Sequence, residues 1–236
     1  HFRAVRERLS PRGVFCQWLP LHQLDLGSLA SITRAFLDAF PAGSAILATY
    51  SLETPVIGLV ATADGRPFDL ARLRDRRDRV EAVLSASALG VPDEVALLAA
   101  FVAGPASLAR FAEDAPPNTD DHPLVAYTAP RVAYDGASPP SDRLLAFISA
   151  SAVTPREVMG TSSDLDFEQR MLRIWRARTA FLEAGRGVRP HSDPATMLSQ
   201  IREPLLGVLR ISPEFAPAYE PLLRLALAME KKDGAR

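Results

Sequence analysis

The densest group of titratable side chains is Asp120-Asp121-His122, inside the run Asn118-Thr119-Asp120-Asp121-His122-Pro123. Two carboxylates beside an imidazole are the raw material of a metal site or an acid-base pair. Here Pro116, Pro117 and Pro123 flank them, and short polar side chains in such a run close Asx turns or cap a neighbouring element. A turn is therefore expected and catalysis is not. The other histidines, His1, His22 and His191, are scattered, and none has a partner at metal-ligand spacing, so no metal site is expected. Cys16 lies among Val14, Phe15 and Trp18 and reads as a buried small hydrophobe that reacts slowly with thiol reagents. A single cysteine excludes an internal disulfide and fits a reducing compartment, so a cytoplasmic location is expected. No G-x-S-x-G nucleophile elbow occurs, and no strand, G-x-G-x-x-G turn and helix follow one another.

The elements around these residues follow from apolar spacing. Phe2, Val5 and Leu9 recur at helical spacing until Ser10-Pro11-Arg12-Gly13, a turn. Because the chain opens at His1 inside that helix, an upstream segment or a truncated product is expected. Val14 to Leu19 is an apolar run of strand length. Asp25 can cap a helix whose apolar positions Leu26, Leu29, Ile32, Phe36, Leu37 and Phe40 fall three and four apart until Pro41. Residues 44–50 and 55–62 read as two further strands around Leu52-Glu53-Thr54, antiparallel to one another and adjacent to the first strand. Residues 69–113 read as short helices broken at Gly90, Pro92, Gly104 and Pro105, without a strand. After the Asn118–Pro123 turn, Leu124 to Thr128 reads as a last short strand.

Beyond Pro130 the composition changes. Gly136-Ala137-Ser138-Pro139-Pro140 looks like a linker, and everything after it is helix-patterned. Phe167, Met171, Ile174, Trp175, Phe181 and Leu182 share one face, and Met197, Ile201, Leu205, Val208 and Leu209 a second. A third helix follows Pro213, with Leu222, Leu223, Ala226 and Met229 inward. The spacing from Pro213 to Tyr219, Leu222, Leu223 and Ala226 matches the end of one tetratricopeptide (TPR) unit and the start of the next. The formal charge of −1 gives no electrostatic reason to expect a nucleic acid. Arg72, Arg74, Arg76, Arg77 and Arg79 alternate with Asp75, Asp78 and Glu81 and read as a self-compensated, solvated helix face. No run approaches the roughly 18 apolar residues of a membrane helix, so no membrane contact by this segment is expected.

Two stretches carry a resemblance. The run GVFCQWLPLHQLDLGSL, followed by a helix ending AFP and by PVIGLVAT, resembles the C-terminal half of the spermidine synthase-like (polyamine aminopropyltransferase) family, in particular bacterial forms fused behind a membrane-transporter-like segment. APPNTDDHPLVAYTAPR, residues 115–131, is similar to the stretch that closes that domain in the fused forms. The resemblance implies an α/β fold: the C-terminal part of a Rossmann-like, methyltransferase-type seven-stranded sheet, with strands five to seven present, followed by the helical, TPR-like tail. The implied organisation is 1–131 for the C-terminal half of the α/β domain, 132–163 for a linker with a short helix, and 164–236 for the tail.

In that family the loop that binds decarboxylated S-adenosylmethionine, the acid that holds its ribose and the catalytic aspartate all precede the position matching His1. The resemblance therefore implies no catalytic and no cofactor-binding residue in this segment, with decarboxylated S-adenosylmethionine as co-substrate and a polyamine as small-molecule partner of the complete domain. It implies a parent that is membrane-anchored through an upstream segment. The residues it marks on the acceptor side are Gln17 and Trp18. A glutamine amide hydrogen-bonds an amine, and an indole face attracts a cation. The alternative for these two is a core tryptophan and a capping glutamine. The family's acceptor-side tyrosine is unmatched, with Leu52 or Glu53 in its region. Two other functions stay open: a methyl transferase remnant using S-adenosylmethionine, and a non-catalytic module whose tail binds a protein partner or associates with itself.

Overall fold

In a computed structural model the described residues are 1–11, 13–66, 71, 74, 75, 78, 79, 93–135, 138–160 and 164–234, with side chains described up to 230. The chain divides into two units, His1–Leu165 and Asp166–Arg236. It is a mixed α and β protein with a small sheet and a helical tail.

The first unit begins with helix α1 (Phe2–Arg8), strand β1 (Val14–Pro20) and helix α2 (Leu26–Ala39). Asp25 caps α2 as its type predicts, its Oδ1 accepting from the Ser28 backbone N–H at 2.6 Å. At the other end of α2 the Arg6 guanidinium donates to the Ala39 carbonyl at 2.7 Å, a cation at the negative end of the helix dipole. Strands β2 (Ser44–Leu47) and β3 (Val56–Thr62) follow. The expected strand 44–50 stops at Leu47, beyond which only Ala48 keeps a ladder bond, to the Val56 carbonyl.

The sheet order is β1-β3-β2-β4, with every neighbouring pair antiparallel. Since β3 runs against both β1 and β2, those two are parallel, joined through α2. Phe15 on β1 stacks with Phe40 (5.6 Å), which meets Phe36 (5.4 Å), which meets Phe2 (5.5 Å), so one aromatic cluster binds α1, α2 and the sheet.

Two expectations for the middle of the chain are corrected. Phe101–Ala103 is a strand, β4, after helix α3 (Glu94–Ala99). Three residues are too few for a periodic pattern to show. Leu124–Tyr134 is a helix, α5, not a strand. Its apolar run is short enough to suit either state, and what decides is capping from a distance: the Asn118 side chain accepts from the Val125 N–H at 3.1 Å. Of the arginine-rich stretch, Arg79 pairs with Asp75 and Arg74 with Glu94, each at 2.7 Å, whereas Arg72, Arg76, Arg77 and Glu81 lie outside the described residues. So do the predicted breaks at Gly90 and Pro92 and the Gly136-Ala137 part of the linker.

Residues 132–163 are more than a linker. They hold the end of α5 together with α6 (Pro140–Ser151) and α7 (Pro155–Met159), and they belong to the first unit. Glu157 on α7 accepts from both the N–H (3.0 Å) and the hydroxyl (2.8 Å) of Ser107 in helix α4 (Pro105–Phe111). The preceding Gly104 leaves room for this, since a Cβ there would lie 2.3 Å from that of Glu157.

The second unit consists of α8 (Leu165–Arg186), α9 (Pro194–Ile211), a short 3₁₀ turn (Ala216–Ala218) and α10 (Tyr219–Gly234). Phe167, Met171, Ile174, Trp175 and Leu182 on α8 are buried as expected, as are Ile201, Leu205 and Val208 on α9. The third predicted face divides: Leu222 and Met229 are half-buried. Leu223 is 61% exposed and Ala226 also faces solvent, because α10 packs on α9 along only part of its circumference.

Candidate functional site

Gln17 and Trp18 sit side by side in β1, opposite Leu59 and Gly58 of β3. Strand side chains alternate, so the two point to opposite faces of the sheet and cannot line one pocket together. Phe15, on the face of Gln17, stacks on Phe40 beside α2. The Gln17 amide N–H donates to the Trp18 carbonyl at 3.1 Å, leaving its own oxygen as an acceptor. Trp18 is 54% exposed and so is not core. Its indole folds over Gly58: a Cβ there would lie 3.2 Å from the ring, 3.1 Å from Cys16 Sγ and 3.0 Å from the Ile46 side chain. A glycine opposite the indole leaves it room to lie flat across the strand pair.

Cys16 shares that face and is half-buried, not fully buried. Desolvation raises its thiol pKa above the ordinary value, as expected of a structural cysteine.

β1 and β2 run the same way without being neighbours, so their carboxyl ends lie on one side of the sheet. Past the end of β1 come Leu21, whose N–H donates to the Pro55 carbonyl, and His22. The buried Arg143 of α6 reaches back to this turn, with Nε donating to the Leu21 carbonyl at 3.0 Å and Nη1 to the Ser138 carbonyl at 2.6 Å. His22 Nδ1 is buried without a hydrogen-bond partner. Neither Arg143 nor His22 was a candidate from sequence. Arg143 lay in a presumed linker, and a lone histidine in a turn carries no spacing signal.

A small open pocket of about 180 Å³ lies at the opposite, amino end of β1 and β2, lined by Arg6, Phe40, Pro41, Thr62 and Asp64 among others. Asp64 is exposed, and the hydrogen bond from the Arg66 backbone N–H holds its carboxyl below the ordinary aspartate range. Both of its charged residues are exposed, and none of its lining comes from β1 or its turn.

The Asn118–Pro123 run closes a turn: the Thr119 and His122 backbones bond reciprocally, the Asn118 N–H donates to the Ser31 carbonyl at 3.2 Å, and its side chain caps α5. Asp120 and Asp121 are exposed at its tip. Across the same contact, Ser28 Oγ of α2 and Thr128 Oγ1 of α5 are hydrogen-bonded at 2.7 Å. Among the described residues no three His, Cys, Asp or Glu side chains converge to hold a metal ion, and no described helix is long and apolar enough to cross a membrane. No family model, curated protein or solved structure matches the chain.

Proposed function

We propose that residues 1–131 form the acceptor-side, C-terminal part of a spermidine synthase-like aminopropyltransferase domain, whose complete form moves an aminopropyl group from decarboxylated S-adenosylmethionine to an amine. One observation carries the reading. The two stretches that bear the resemblance, about a hundred residues apart, pack against each other through the Ser28–Thr128 and Asn118–Ser31 hydrogen bonds. Two segments of one conserved architecture would be expected to meet in this way. The crossover from β1 through α2 to β2, two strands that run the same way with the antiparallel β3 between them, is further support, since same-direction strands joined through a helix recur in Rossmann-type sheets.

On this reading Trp18 is the acceptor-side group, an exposed indole that attracts an ammonium ion, while Gln17 on the other face supports the strand. Deprotonating the acceptor and holding the nucleoside need acids and a glycine-rich loop that the resemblance places before the position matching His1. Titration of the chain with decarboxylated S-adenosylmethionine should therefore give no micromolar binding. Combined with the nucleotide-binding half of such a domain, it should yield aminopropylated putrescine. Micromolar cofactor binding by the chain alone, or no product from the combined halves, would overturn the proposal.

A second reading is favoured by α10, where Tyr219, Leu223 and Leu227 form an exposed stripe at four-residue spacing. A helical unit with such a stripe suits a protein partner. Loss of partner capture on Leu223→Glu, with the first unit unaffected, would separate this role from the transferase reading.

A further inference from the structure

A buried charge ordinarily lies against an opposite one, and Arg143 of α6 does not. It is 5% exposed, and its hydrogen bonds among the described residues go to two neutral carbonyls, those of Leu21 and Ser138. Neither Asp25, close in sequence to the turn after β1, nor the adjacent Asp142 is ion-paired with it. Carbonyl dipoles return part of the hydration that a guanidinium gives up on burial, and an opposite charge is needed for the rest.

The donors of Arg143 are also in surplus. A guanidinium carries five N–H groups, of which one on Nε and one on Nη1 are used here. Nη2 has no protein partner among the described residues, and it is not one of the sealed atoms that lack one, so the small exposed part of Arg143 includes this tip of the fork. His22 follows Leu21, whose carbonyl Arg143 Nε holds, and its Nδ1 is buried without a hydrogen-bond partner although the residue is half-buried. A charged fork with free N–H groups and an unsatisfied ring nitrogen therefore belong to one turn, at the carboxyl end of β1.

We propose that Arg143 and His22 bind a small oxyanion, a carboxylate or a phosphate group, at the turn after β1. The chemistry of the free groups selects this class. Those of Arg143 donate and never accept, its charge is permanent, and its planar fork matches the oxygens of a carboxylate or a phosphate. A cation would be repelled, and a neutral ligand would leave the charge uncompensated. With its proton on Nδ1, His22 supplies a further donor to the same anion. The pocket at the amino end of the sheet lacks this character, since its Arg6 is exposed and Asp64 brings a negative charge beside it. This inference goes beyond the aminopropyltransferase reading and does not rest on it.

Inorganic phosphate and acetate are titrated separately into the purified chain at neutral pH, with sodium chloride holding the ionic strength constant, while NMR follows the Arg143 Nε–H and the His22 ring. At least one of the two ions should shift both sets of resonances saturably, with a dissociation constant in the millimolar range or below. The tighter ion identifies the head group that the site prefers. Arg143→Met should abolish the saturable shift of the His22 ring. His22→Phe, at a half-buried position, tests the site independently of any structural role of Arg143 and should weaken binding by at least about threefold, the worth of one hydrogen bond, with an unchanged circular dichroism spectrum. Arg6→Met, in the pocket at the other end of the sheet, should leave binding as it is. No saturable shift with either ion, a shift that chloride alone reproduces, or binding that survives either substitution at the turn or falls with Arg6→Met would each overturn the proposal.

Discussion

Arg143 offers the sharpest test of how the first unit is held together. The residue is 5% exposed, and its hydrogen bonds go to neutral carbonyls, those of Leu21 and Ser138. Leu21 is fully buried, so its carbonyl has no water to turn to. Arg143→Met keeps most of the apolar stem and removes the donors. The expected loss is one buried carbonyl left unsatisfied, about 1–3 kcal/mol, and part of a second, less the relief of no longer burying a cation. A net of about 2 kcal/mol follows, equivalent to a fall of about 4–8 °C in Tm for a unit of this size. Arg143→Lys should recover little, because one ammonium cannot span both carbonyls as the planar fork does. Each unit holds a single tryptophan, Trp18 in the first and Trp175 in the second. Urea unfolding followed by fluorescence in a Trp175→Phe background therefore reads the first unit alone. A change below about 0.5 kcal/mol for Arg143→Met, or full recovery with lysine, would refute the idea that this side chain anchors the turn after β1.

Two further outcomes follow. Phe36 is fully buried at the centre of the aromatic cluster, so Phe36→Ala should cost the first unit about 4 kcal/mol in urea unfolding; a loss under about 2 kcal/mol would mean that the cluster collapses around the gap. The burial-raised pKa of Cys16 means that its reaction with a neutral thiol reagent should accelerate only above the pH range of a free thiol, and an inflection below that range would contradict the structure. Its effect on stability has a defined sign: the contribution is present below the unfolded pKa and is lost as pH rises through the higher folded value.

Legibility in the sequence tracked how local the deciding interaction is. The strands β1, β2 and β3, and α2 with its Asp25 cap, rest on apolar spacing and on a cap three residues from its target, all within one window of sequence. Strand β4 and helix α5 rest on distant partners: β4 exists because β2 offers an edge at Ala45 and Ile46, and α5 because Asn118 and Ser28 hold its first turns. The site divided in the same way. Gln17 and Trp18 are marked by a resemblance, yet alternation along a strand already forbids them a common pocket. Trp18 facing solvent could not be foreseen from an apolar run that reads as interior, because exposure depends on which strands stand beside β1.

That last point bears on what β1 is for. An uncharged strand with an exposed tryptophan is poorly suited to water on its outer side, and Gly58 on the neighbouring strand leaves the indole room to lie across the pair. A glycine inside a strand is intrinsically unfavourable, so a packing gain must offset it. An indole that stays half in solvent returns only part of that gain, whereas one covered by a further strand returns most of it. The pairing of Gly58 with Trp18 is therefore better explained by a sheet that continues past β1 than by one that stops there. Odd-numbered residues of β1 bond to β3, so on the aminopropyltransferase reading the rest of the α/β domain places its next backbone against the outward amides of Val14, Cys16 and Trp18. That reading requires edge amides that exchange freely in the chain alone and become protected when the nucleotide-binding half is added; amides of equal exchange rate with and without that half would refute it.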